Sequence, residues 1–452
     1  MKKIINYLRK NRQIIKVILF LFWIVLHIFF MIHHEPWRDE ARAWLLAKNL
    51  NIINLFITSR FDGHPILWHL ILMPFAKNGF PYITLQIINL IICSVAAYIF
   101  YFKIKINDIF KTLILFGTPF TFVYIIIARN YSLILLFITL IAYLYPKRYK
   151  CPYIYTLILC LILNTPTISY GFAISTYFLF NFCELIKYFK NKNILSLKQI
   201  IITNIMFLFT LSFIILELSG TNNPDYPKPF SINNSILYNY PFFIEIIFSI
   251  IIFGIIARKS NVKTYIICII SLVYQLLITA FFYPSIFEIR ALYQCIIWLF
   301  FIITSNKKDI KINKLLMIVF LIFYFPKTIL CYSLALKDVK SNYSGAKETA
   351  IWINKNIKQK QILIEDSVFC QSIEPYLNQK KLFDIYYEKN LSALKTYSDN
   401  KKDKKINTSQ YKQKYIIIYN TKRKNWTNSK FKLVFSSKKS LTGEDFTVYY
   451  IK

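Results

Sequence analysis

Residues 33–42, HHEPWRDEAR, hold two histidines, three acids and two arginines around one proline and one tryptophan. The stretch follows an apolar run of about twenty residues, which is long enough to cross a bilayer. Asp39 and Glu40 are carboxylates that can act as general bases when a hydroxyl group lies within reach, and Arg38 and Arg42 can bind anions. Charge this dense beside an apolar run indicates either a solvated loop or a reactive site.

A helix that begins at Pro36 would separate these charges. Proline at the first helical position, after an acid, is a helix-start signal. At about 100° per residue, Arg38 and Arg42 fall in one polar wedge, whereas Asp39 and Glu40 lie on apolar faces. The apolar residues of those faces are Ala43, Trp44, Leu46, Ala47 and Leu50.

The placement of the two carboxylates allows two interpretations. A carboxylate on a packing face must be paired, hydrogen-bonded or functional. Because adjacent side chains on a helix diverge by about 100°, one acid would face a site and the other would orient it. The alternative is that both are helix-start acids, favoured by the helix dipole and neutralised by Arg38 or Arg42.

A second charged stretch, RFDGHPILWHL at residues 60–70, precedes the next apolar sequence. It places Asp62 and His64 just before Pro65. The apolar residues 65–75 number about a dozen, which suits an interfacial or re-entrant helix better than a span. Asp62 and His64 are therefore candidate substrate-binding residues, although a lone histidine there is more often an ordinary interfacial side chain.

Two further arginines lie at the ends of apolar runs, Arg129 in IIIARNYSL and Arg290 in SIFEIRALY. Arginine at such depth is costly unless it is paired or binds an anion. Both are candidate anion-binding residues, and the alternatives are snorkelling to headgroups or a local pair such as Glu288 with Arg290. Glu217 and Glu245 border the outer loop 218–240 and could help bind a substrate, but we expect structural pairing for both.

The composition indicates a polytopic α-helical membrane protein. Of 452 residues, 56% are hydrophobic and only 8 are glycine, and repeated apolar runs separate the charges. The net charge of +34 falls largely between these runs and in the tail, so nucleic acid is not the expected partner. The 8 cysteines form no C-x-x-C pattern, and we see no phosphate-binding loop motif, so a zinc site, a disulfide framework and an ATP-driven transporter are disfavoured.

We predict about eleven transmembrane spans from the apolar runs. They cover residues 14–32, 82–102, 112–128, 131–146, 153–168, 170–189, 200–217, 242–257, 264–283, 291–305 and 315–333. Lysine and arginine concentrate in residues 1–12 and in alternate loops thereafter, which places the N-terminus in the cytoplasm and the loop 33–81 outside. With this parity the tail also emerges outside a multi-pass cell inner or plasma membrane protein.

The chain divides into a transmembrane domain at 1–336 and a soluble extracytoplasmic domain at 337–452. In the second domain SGAKETAIWINKN has helical spacing. The stretches QILIED, YIIIYN, FKLVFSS and DFTVYYIK are typical strands separated by short polar turns. We therefore expect a small α/β or α+β domain, with DNKKDKKINTSQ as a solvated loop.

The two charged stretches together resemble the first outer loop of the GT-C glycosyltransferases. Asp62-Gly63-His64-Pro65-Ile66-Leu67 is similar to the Asp-x-His-Pro-Pro-Leu segment of protein O-mannosyltransferases, with Ile66 in place of the second proline. Asp39-Glu40 followed by Arg42 is similar to the bacterial aminoarabinose transferases, which have lysine where this chain has His64. The string EPWRDEARAWLLAK also resembles bacterial membrane proteins grouped with this superfamily.

The resemblance implies transfer of a sugar from a polyprenyl-phosphate donor to an extracytoplasmic acceptor, which could be a lipid, a glycan or a protein. In that reaction Asp39 and Glu40 would be the catalytic residues, with Asp39 as general base and inversion at the sugar. Arg42, Asp62, His64, Arg129 and Arg290 would bind the substrates, the arginines holding the lipid phosphate.

Two other functions fit the same residues. A transporter or flippase of lipid-linked sugars would use the basic pocket without a base, and a polysaccharide polymerase or ligase would place key charges in large later loops. The later loops are short apart from 218–240, which makes a polymerase or ligase the less favoured of these two functions. We assign no cofactor and no metal, although a divalent cation beside Asp39 and Glu40 is compatible with the residue types.

Overall fold

The computed structural model describes residues 11–62, 64–190, 194–219, 240–257, 262–282, 292–304, 310–391, 408–419 and 430–452. The first helix, α1 (Arg12–His33), carries the apolar run that precedes the charged stretch. Three short helices follow it, α2 (Arg38–Asn49), α3 (Ile52–Asp62) and α4 (Leu67–Lys77). The chain then enters the helical bundle with α5 (Thr84–Tyr98), which a π-helical turn extends to Lys103.

The rest of the bundle is built from helices of unequal length. In chain order these are α6 (Asp108–Leu115), α7 (Phe122–Ile125), α8 (Tyr131–Leu144), α9 (Pro152–Leu163), α10 (Tyr170–Tyr177) and α11 (Cys183–Tyr188). They are followed by α12 (Leu197–Leu218), α13 (Tyr240–Ala257), α14 (Val262–Phe282), α15 (Tyr293–Thr304) and α16 (Ile310–Lys340).

Five helical segments among the described residues are long and apolar enough to cross a membrane. They are Arg12–His33, Thr84–Lys103, Leu197–Leu218, Val262–Thr279 and Ile318–Lys340. Shorter apolar helices accompany them at Tyr131–Lys147, Pro152–Leu163, Ile244–Ile255 and Tyr293–Thr304. The fold is thus that of a helical membrane protein, and the count of about eleven spans stays a prediction.

The predicted span at 112–128 is not a continuous helix. Helix α6 stops at Leu115, and the chain turns through residues 117–121 before the single turn of α7. Residues 126–130 are not helical either, although almost all of this segment is buried. Irregular backbone at membrane depth is tolerated where protein covers it, and here Trp23 Nε1 of α1 donates to Phe120 O at 3.0 Å.

The short helix α4 packs against α2 through the face that carries Trp68, Leu72 and Ala76. Its 11 residues extend over only about 16 Å, since an α-helix rises about 1.5 Å per residue. That length is roughly half the hydrocarbon core of a bilayer. The expected interfacial or re-entrant placement of residues 65–75 stays a prediction.

The C-terminal part is a small domain built on one mixed sheet. It contains α17 (Ala346–Asn356), β1 (Gln361–Ile364), α18 (Ser367–Cys370), β2 (Lys381–Asp384), β3 (Lys389–Asn390), β4 (Tyr415–Tyr419), β5 (Phe431–Ser436) and β6 (Phe446–Ile451). The strand order is β3-β2-β1-β4-β6-β5. Strand β1 is parallel to both neighbours, and the remaining pairs are antiparallel. Central parallel strands are covered on both faces, as the buried residues Ile362, Leu363 and Ile364 of β1 are.

The predicted helix and four predicted strands of this domain are confirmed as α17, β1, β4, β5 and β6. Strands β2 and β3 were not expected. Strand β3 contains only 2 residues, which is too short to show an alternating pattern. Most of the stretch DNKKDKKINTSQ lies outside the described residues. Helix α16 continues to Lys340, three residues past the expected boundary at 337.

Candidate active site at the end of the first helix

The charged stretch wraps around the end of α1 and starts α2 at Arg38, two residues later than the proline signal indicated. The later start is explained by the hydrogen bonds of the backbone N–H groups of Trp37 and Arg38. The N–H of Trp37 donates to Glu40 Oε2 at 3.2 Å, and the N–H of Arg38 donates to the carboxylate of Glu444. Because an N-terminal turn must satisfy its free N–H groups, these two carboxylates define where α2 begins.

Glu40 is completely buried at the junction of α1, α2 and the irregular segment 126–130. Its Oε1 accepts from the backbone N–H of Ala128 at 2.6 Å, and its Oε2 lies 3.1 Å from His34 Nε2. The Ala128 N–H is available because residues 126–130 are not helical. Because the predicted span is interrupted here, the N–H of Ala128 is free to donate a hydrogen bond to Glu40.

His34 links Glu40 to the C-terminal end of α16. Its Nδ1 lies 2.8 Å from Asp338 Oδ2 in the last turns of α16, and the His34 and Glu40 side chains are fully buried. With a carboxylate oxygen at each ring nitrogen, the imidazole donates from both when protonated. Burial would lower the pKa of His34, but the charge of Glu40 and the bonds to both carboxylates outweigh it and raise that pKa to about 10.

Asp39 differs from Glu40 in exposure and partner. Its side chain is 30% exposed, and its Oδ2 lies 2.9 Å from Arg129 Nη1. The guanidinium of Arg38 approaches its other oxygen, with Nε 3.5 Å from Oδ1. The contact of Asp39 with Arg38 agrees with one alternative drawn from the sequence, in which an arginine of the same helix neutralises the acid. Arg129, in the segment 126–130, is a second cationic partner.

The sheet domain contacts this site through Glu444. The two oxygens of the Glu444 carboxylate accept from the Arg38 N–H at 3.1 and 3.2 Å, and Ser344 Oγ donates to Oε2 at 2.9 Å. Burial raises the pKa of Glu444 to about 7, against the opposing effects of these donors. The Arg38 guanidinium also lies 4.6 Å from the ring centre of Phe369 in the sheet domain.

The contact with the sheet domain is close enough to require glycine beside it. The backbone N–H of Gly345 donates to Glu444 O at 2.8 Å. A Cβ at Gly345 would stand 2.9 Å from that same oxygen and 2.7 Å from Ser437 Oγ. The loop that carries Glu444 is therefore packed directly onto the chain that connects α16 to the sheet domain.

The other predicted site residues are less completely placed. Arg42 is half-buried on α2, one turn after Arg38, and His64 is half-buried just before α4. Asp62 ends α3, and its side chain lies outside the described part of the structure. Arg290 lies outside the described residues.

The two glutamates for which we expected structural pairing are both paired. Glu217 in α12 accepts from the backbone N–H of Ile66 at 3.0 Å, which satisfies a free amide at the start of α4. Glu245 in α13 lies 2.5 Å from Lys327 Nζ of α16. Neither residue reaches Asp39 through a contact that the described residues show.

Three residues of this arrangement were missed by sequence reasoning. The sequence patterns assign no role to His34, Asp338 or Glu444. His34 carried a weak signal, since it directly follows α1 and stands six residues before Glu40. Asp338 and Glu444 lie 304 and 406 positions away from their partners, so a single sequence contains no signal that joins them.

The arrangement consists of a buried, multiply bonded carboxylate beside a half-exposed one that is paired with arginine. Within the described ranges, no group of three or more His, Cys, Asp or Glu side chains could hold a metal ion. The half-exposed Asp39 is the group that a substrate could reach, and Arg129 is the cation beside it. Comparisons with models of protein families, with curated proteins and with solved structures give no match to this chain.

Proposed function

We propose that this chain is an integral membrane glycosyltransferase of the GT-C type. It would transfer a sugar, with inversion, from a polyprenyl-phosphate donor to a lipid, glycan or protein acceptor on the extracytoplasmic side of a bacterial cell membrane. Asp39 would act as the general base, and Arg129 would bind the phosphate of the donor. The observation that carries the proposal is the Asp39–Arg129 ion pair beside the buried Glu40, with the Asp39 side chain 30% exposed.

The contrast between the two motif acids supports a division of labour. Glu40 is fully buried and bonded to Ala128, Trp37 and His34, so it has no oxygen open to a substrate hydroxyl. Asp39 keeps part of its surface exposed, and a base must lie within hydrogen-bonding distance of the proton it takes. Within the proposal Glu40 is therefore a positioning residue, and Asp39 is the catalytic one.

The Arg129 guanidinium supports the binding of an anionic donor. A phosphate leaving group carries negative charge that fixed cations stabilise in the transition state, and arginine suits phosphate through paired N–H donors. In the free protein Arg129 pairs with Asp39. A donor phosphate would compete for Arg129, which would leave the Asp39 carboxylate free to accept a proton.

The reaction then has a simple balance. The oxygen of the acceptor hydroxyl attacks the anomeric carbon and forms the new glycosidic bond. The bond from that carbon to the phosphate oxygen breaks, and the lipid phosphate leaves with the electron pair next to Arg129. The hydroxyl proton passes to Asp39. No proton is required by the leaving group, because a phosphate is stable as an anion.

The test is sugar transfer by the full-length protein in lipid vesicles, supplied with polyprenyl-phosphate sugars and followed by mass spectrometry of the products. Asp39→Asn keeps the shape of the side chain and removes the base. We expect transfer to fall by about 10²- to 10⁴-fold, the usual contribution of a general base. Full transfer by the Asp39→Asn variant would overturn the role of Asp39.

Asp108→Asn is the matched control, because Asp108 is also a carboxylate paired with cations but lies at the opposite end of α1. Transfer should survive this change. The same vesicles separate an enzyme from a transporter of lipid-linked sugars. Under the proposal Asp39→Asn retains co-purified polyprenyl phosphate while losing transfer, and Arg129→Gln loses the lipid as well.

A further inference from the structure

A groove of about 660 Å³ runs along the outer side of α16 at the end of the bundle that carries the site. Its walls are mostly apolar, with Phe116, Phe325, Ile329 and Leu336, and they also include the hydroxyl side chains of Thr328 and Ser333. Lys337 and Lys340 lie at one end of it, in the last turn of α16. The groove therefore has a hydrocarbon-like interior and a cationic end.

The length of the groove matches one leaflet of a bilayer. From Phe325 to Lys340 the helix rises about 22 Å, at about 1.5 Å per residue. Half of a typical hydrocarbon core is roughly 15 Å, and the headgroup level lies directly beyond it. One hydrocarbon chain laid along α16 would thus end where the two lysines stand.

The charges at this end complement a phosphate. Both lysines are exposed, and they are separated by three positions, so their side chains lie on one side of the helix. In the described parts of the chain, neither ammonium group has a carboxylate within salt-bridge distance. The helix dipole also favours lysine in a last turn, but it does not account for a groove that leads to the pair.

We propose that this groove binds one anionic phospholipid of the surrounding membrane. One hydrocarbon chain lies along the apolar face of α16, and the phosphate lies between Lys337 and Lys340. The binding site is separate from the Asp39–Arg129 pair and holds whether or not the chain transfers sugars. It adjoins the site through Asp338, the residue after Lys337, which holds His34.

The test is native mass spectrometry of the full-length protein, exchanged into mixed micelles that contain phosphatidylglycerol or phosphatidylcholine with the same acyl chains. We expect retention of phosphatidylglycerol and not of phosphatidylcholine. The double substitution Lys337→Gln and Lys340→Gln should weaken retention about 30-fold, which corresponds to about 1 kcal/mol for each lysine. Lys147→Gln with Lys150→Gln is the control, because these exposed lysines have the same spacing away from the groove.

A second variant tests the groove itself. Ser333 lines the groove, so Ser333→Phe would fill it while both lysines remain. Leu330→Phe is its control, since Leu330 is 61% exposed on the same helix and does not line the groove. We expect Ser333→Phe to lose phosphatidylglycerol and Leu330→Phe to keep it.

Three results would overturn the proposal. Equal retention of the two phospholipids would show that the headgroup charge is not recognised. Retention of phosphatidylglycerol by Ser333→Phe would mean that the lysines attract lipid without the groove. Displacement of phosphatidylglycerol by an equal amount of a polyprenyl phosphate would assign the groove to that lipid instead.

Discussion

The two ends of α1 carry charged clusters that differ in sign and in burial. At its start, Arg12, Lys16 and Lys111 surround the single carboxylate of Asp108. At its end, the carboxylates of Asp39, Glu40 and Asp338 surround His34 and Arg129. The 22 residues of α1 separate the clusters by roughly 33 Å, at about 1.5 Å per residue.

The first cluster, which we call the basic cluster, has a structural explanation. Lys111 Nζ donates to the backbone oxygens of Tyr101 and Ile104 at 2.9 and 3.1 Å, where α5 and its π-helical turn run out. Free carbonyls at a helix end need such donors. Excess positive charge at that end also agrees with the predicted cytoplasmic side.

The second cluster, which we call the acid cluster, is not explained by helix ends alone. Only some of its bonds cap α2, and the fully buried Glu40 and His34 form a chain to Asp338 in a different helix. Buried charged groups of this kind are costly unless they are paired and hydrogen-bonded. Exposure and the number of bonded partners therefore distinguish charged residues that satisfy the free groups of a helix end from charged residues that hold a site in place.

The largest effect should follow from Glu40→Ala. This change leaves a buried imidazolium at His34 and unpaired N–H groups at Ala128 and Trp37. Breaking a buried pair from one side costs about 3–5 kcal/mol of the free energy of unfolding. Chemical denaturation of the protein in micelles measures that loss.

The counterpart in the basic cluster is Asp108→Ala. Arg12, the hydrogen-bonded partner of Asp108, is 61% exposed, whereas Lys16 and Lys111 are buried and would lose their carboxylate. We therefore expect a loss of about 1–3 kcal/mol, smaller than the loss for Glu40→Ala. An equal loss for Asp108→Ala and Glu40→Ala would show that burial does not distinguish the two clusters.

The pH dependence of stability should differ between neighbouring histidines. The pKa of His34 is raised to about 10 by Glu40 and Asp338, which outweigh burial. A raised pKa means that the stabilising contribution is complete below the unfolded value of about 6.5 and is lost as the pH rises toward 10. Unfolding temperatures measured from pH 6 to pH 10 should therefore fall in the native protein and stay flatter in His34→Gln.

His33→Gln is the control for this titration. His33 is exposed, and its ring contacts only the backbone oxygen of Phe29 among the hydrogen bonds of the described residues. The His33→Gln variant should retain the native pH dependence. A flat profile in the native protein would contradict the charged state that we assign to His34.

The sheet domain should be loosened by Glu444→Ala. This substitution removes the acceptor for the Arg38 N–H and for Ser344 Oγ. Each such bond contributes about 0.5–3 kcal/mol, the larger values applying where the carboxylate is ionised. We expect faster hydrogen exchange at the first amides of α2. Exchange followed by mass spectrometry measures this effect without any assumption about activity.

Asp445→Ala is the matched control. The Asp445 carboxylate is next in the chain to Glu444, but it accepts from the N–H of Ser440 at 2.6 Å within its own loop. Exchange at the start of α2 should be unchanged in that variant. If both variants accelerate exchange equally, the effect comes from the loop as a whole and not from the Glu444 bond to Arg38.

The difference between the clusters also separates what the sequence predicts from what it does not. The helical membrane fold and the strands β1, β4, β5 and β6 follow from apolar runs and local alternation. The separation of Asp39 from Glu40 follows from helical geometry, and Glu40 is indeed buried while Asp39 is half-exposed. These are all properties of residues close together in the chain.

The features that the sequence does not predict depend on contacts between residues far apart in the chain. Apolar composition at 112–128 indicates a span, but it does not reveal that residues 117–121 turn and that Ala128 presents a free N–H to Glu40. The bonds from Asp338 and Glu444 depend on how distant segments pack. Tertiary contacts of this kind override local propensity, and a single sequence does not encode them in any local pattern.

The smallest effect should come from Arg12→Ala in the basic cluster. Arg12 is largely exposed, and its contact with Asp108 is screened by salt. The Arg12 bond lowers the pKa of Asp108 to about 2, helped by Lys111 and Lys16. A lowered pKa means that the contribution is present above the unfolded value of about 3.9 and is lost as the pH falls toward 2. We therefore expect Arg12→Ala to cost at most about 1 kcal/mol, and the cost should vanish in the same acid range and at high salt.

Denaturation at pH 7 and below pH 2, each at low and at high sodium chloride, measures this effect. Glu40→Ala serves as the comparison, because its buried partners are shielded from salt. A salt-sensitive loss for Arg12→Ala beside a salt-insensitive loss for Glu40→Ala is the expected pair of results. If the Arg12→Ala loss persisted at high salt, the basic cluster would share the buried, organising character of the acid cluster, and its explanation as a set of helix-end contacts would fail.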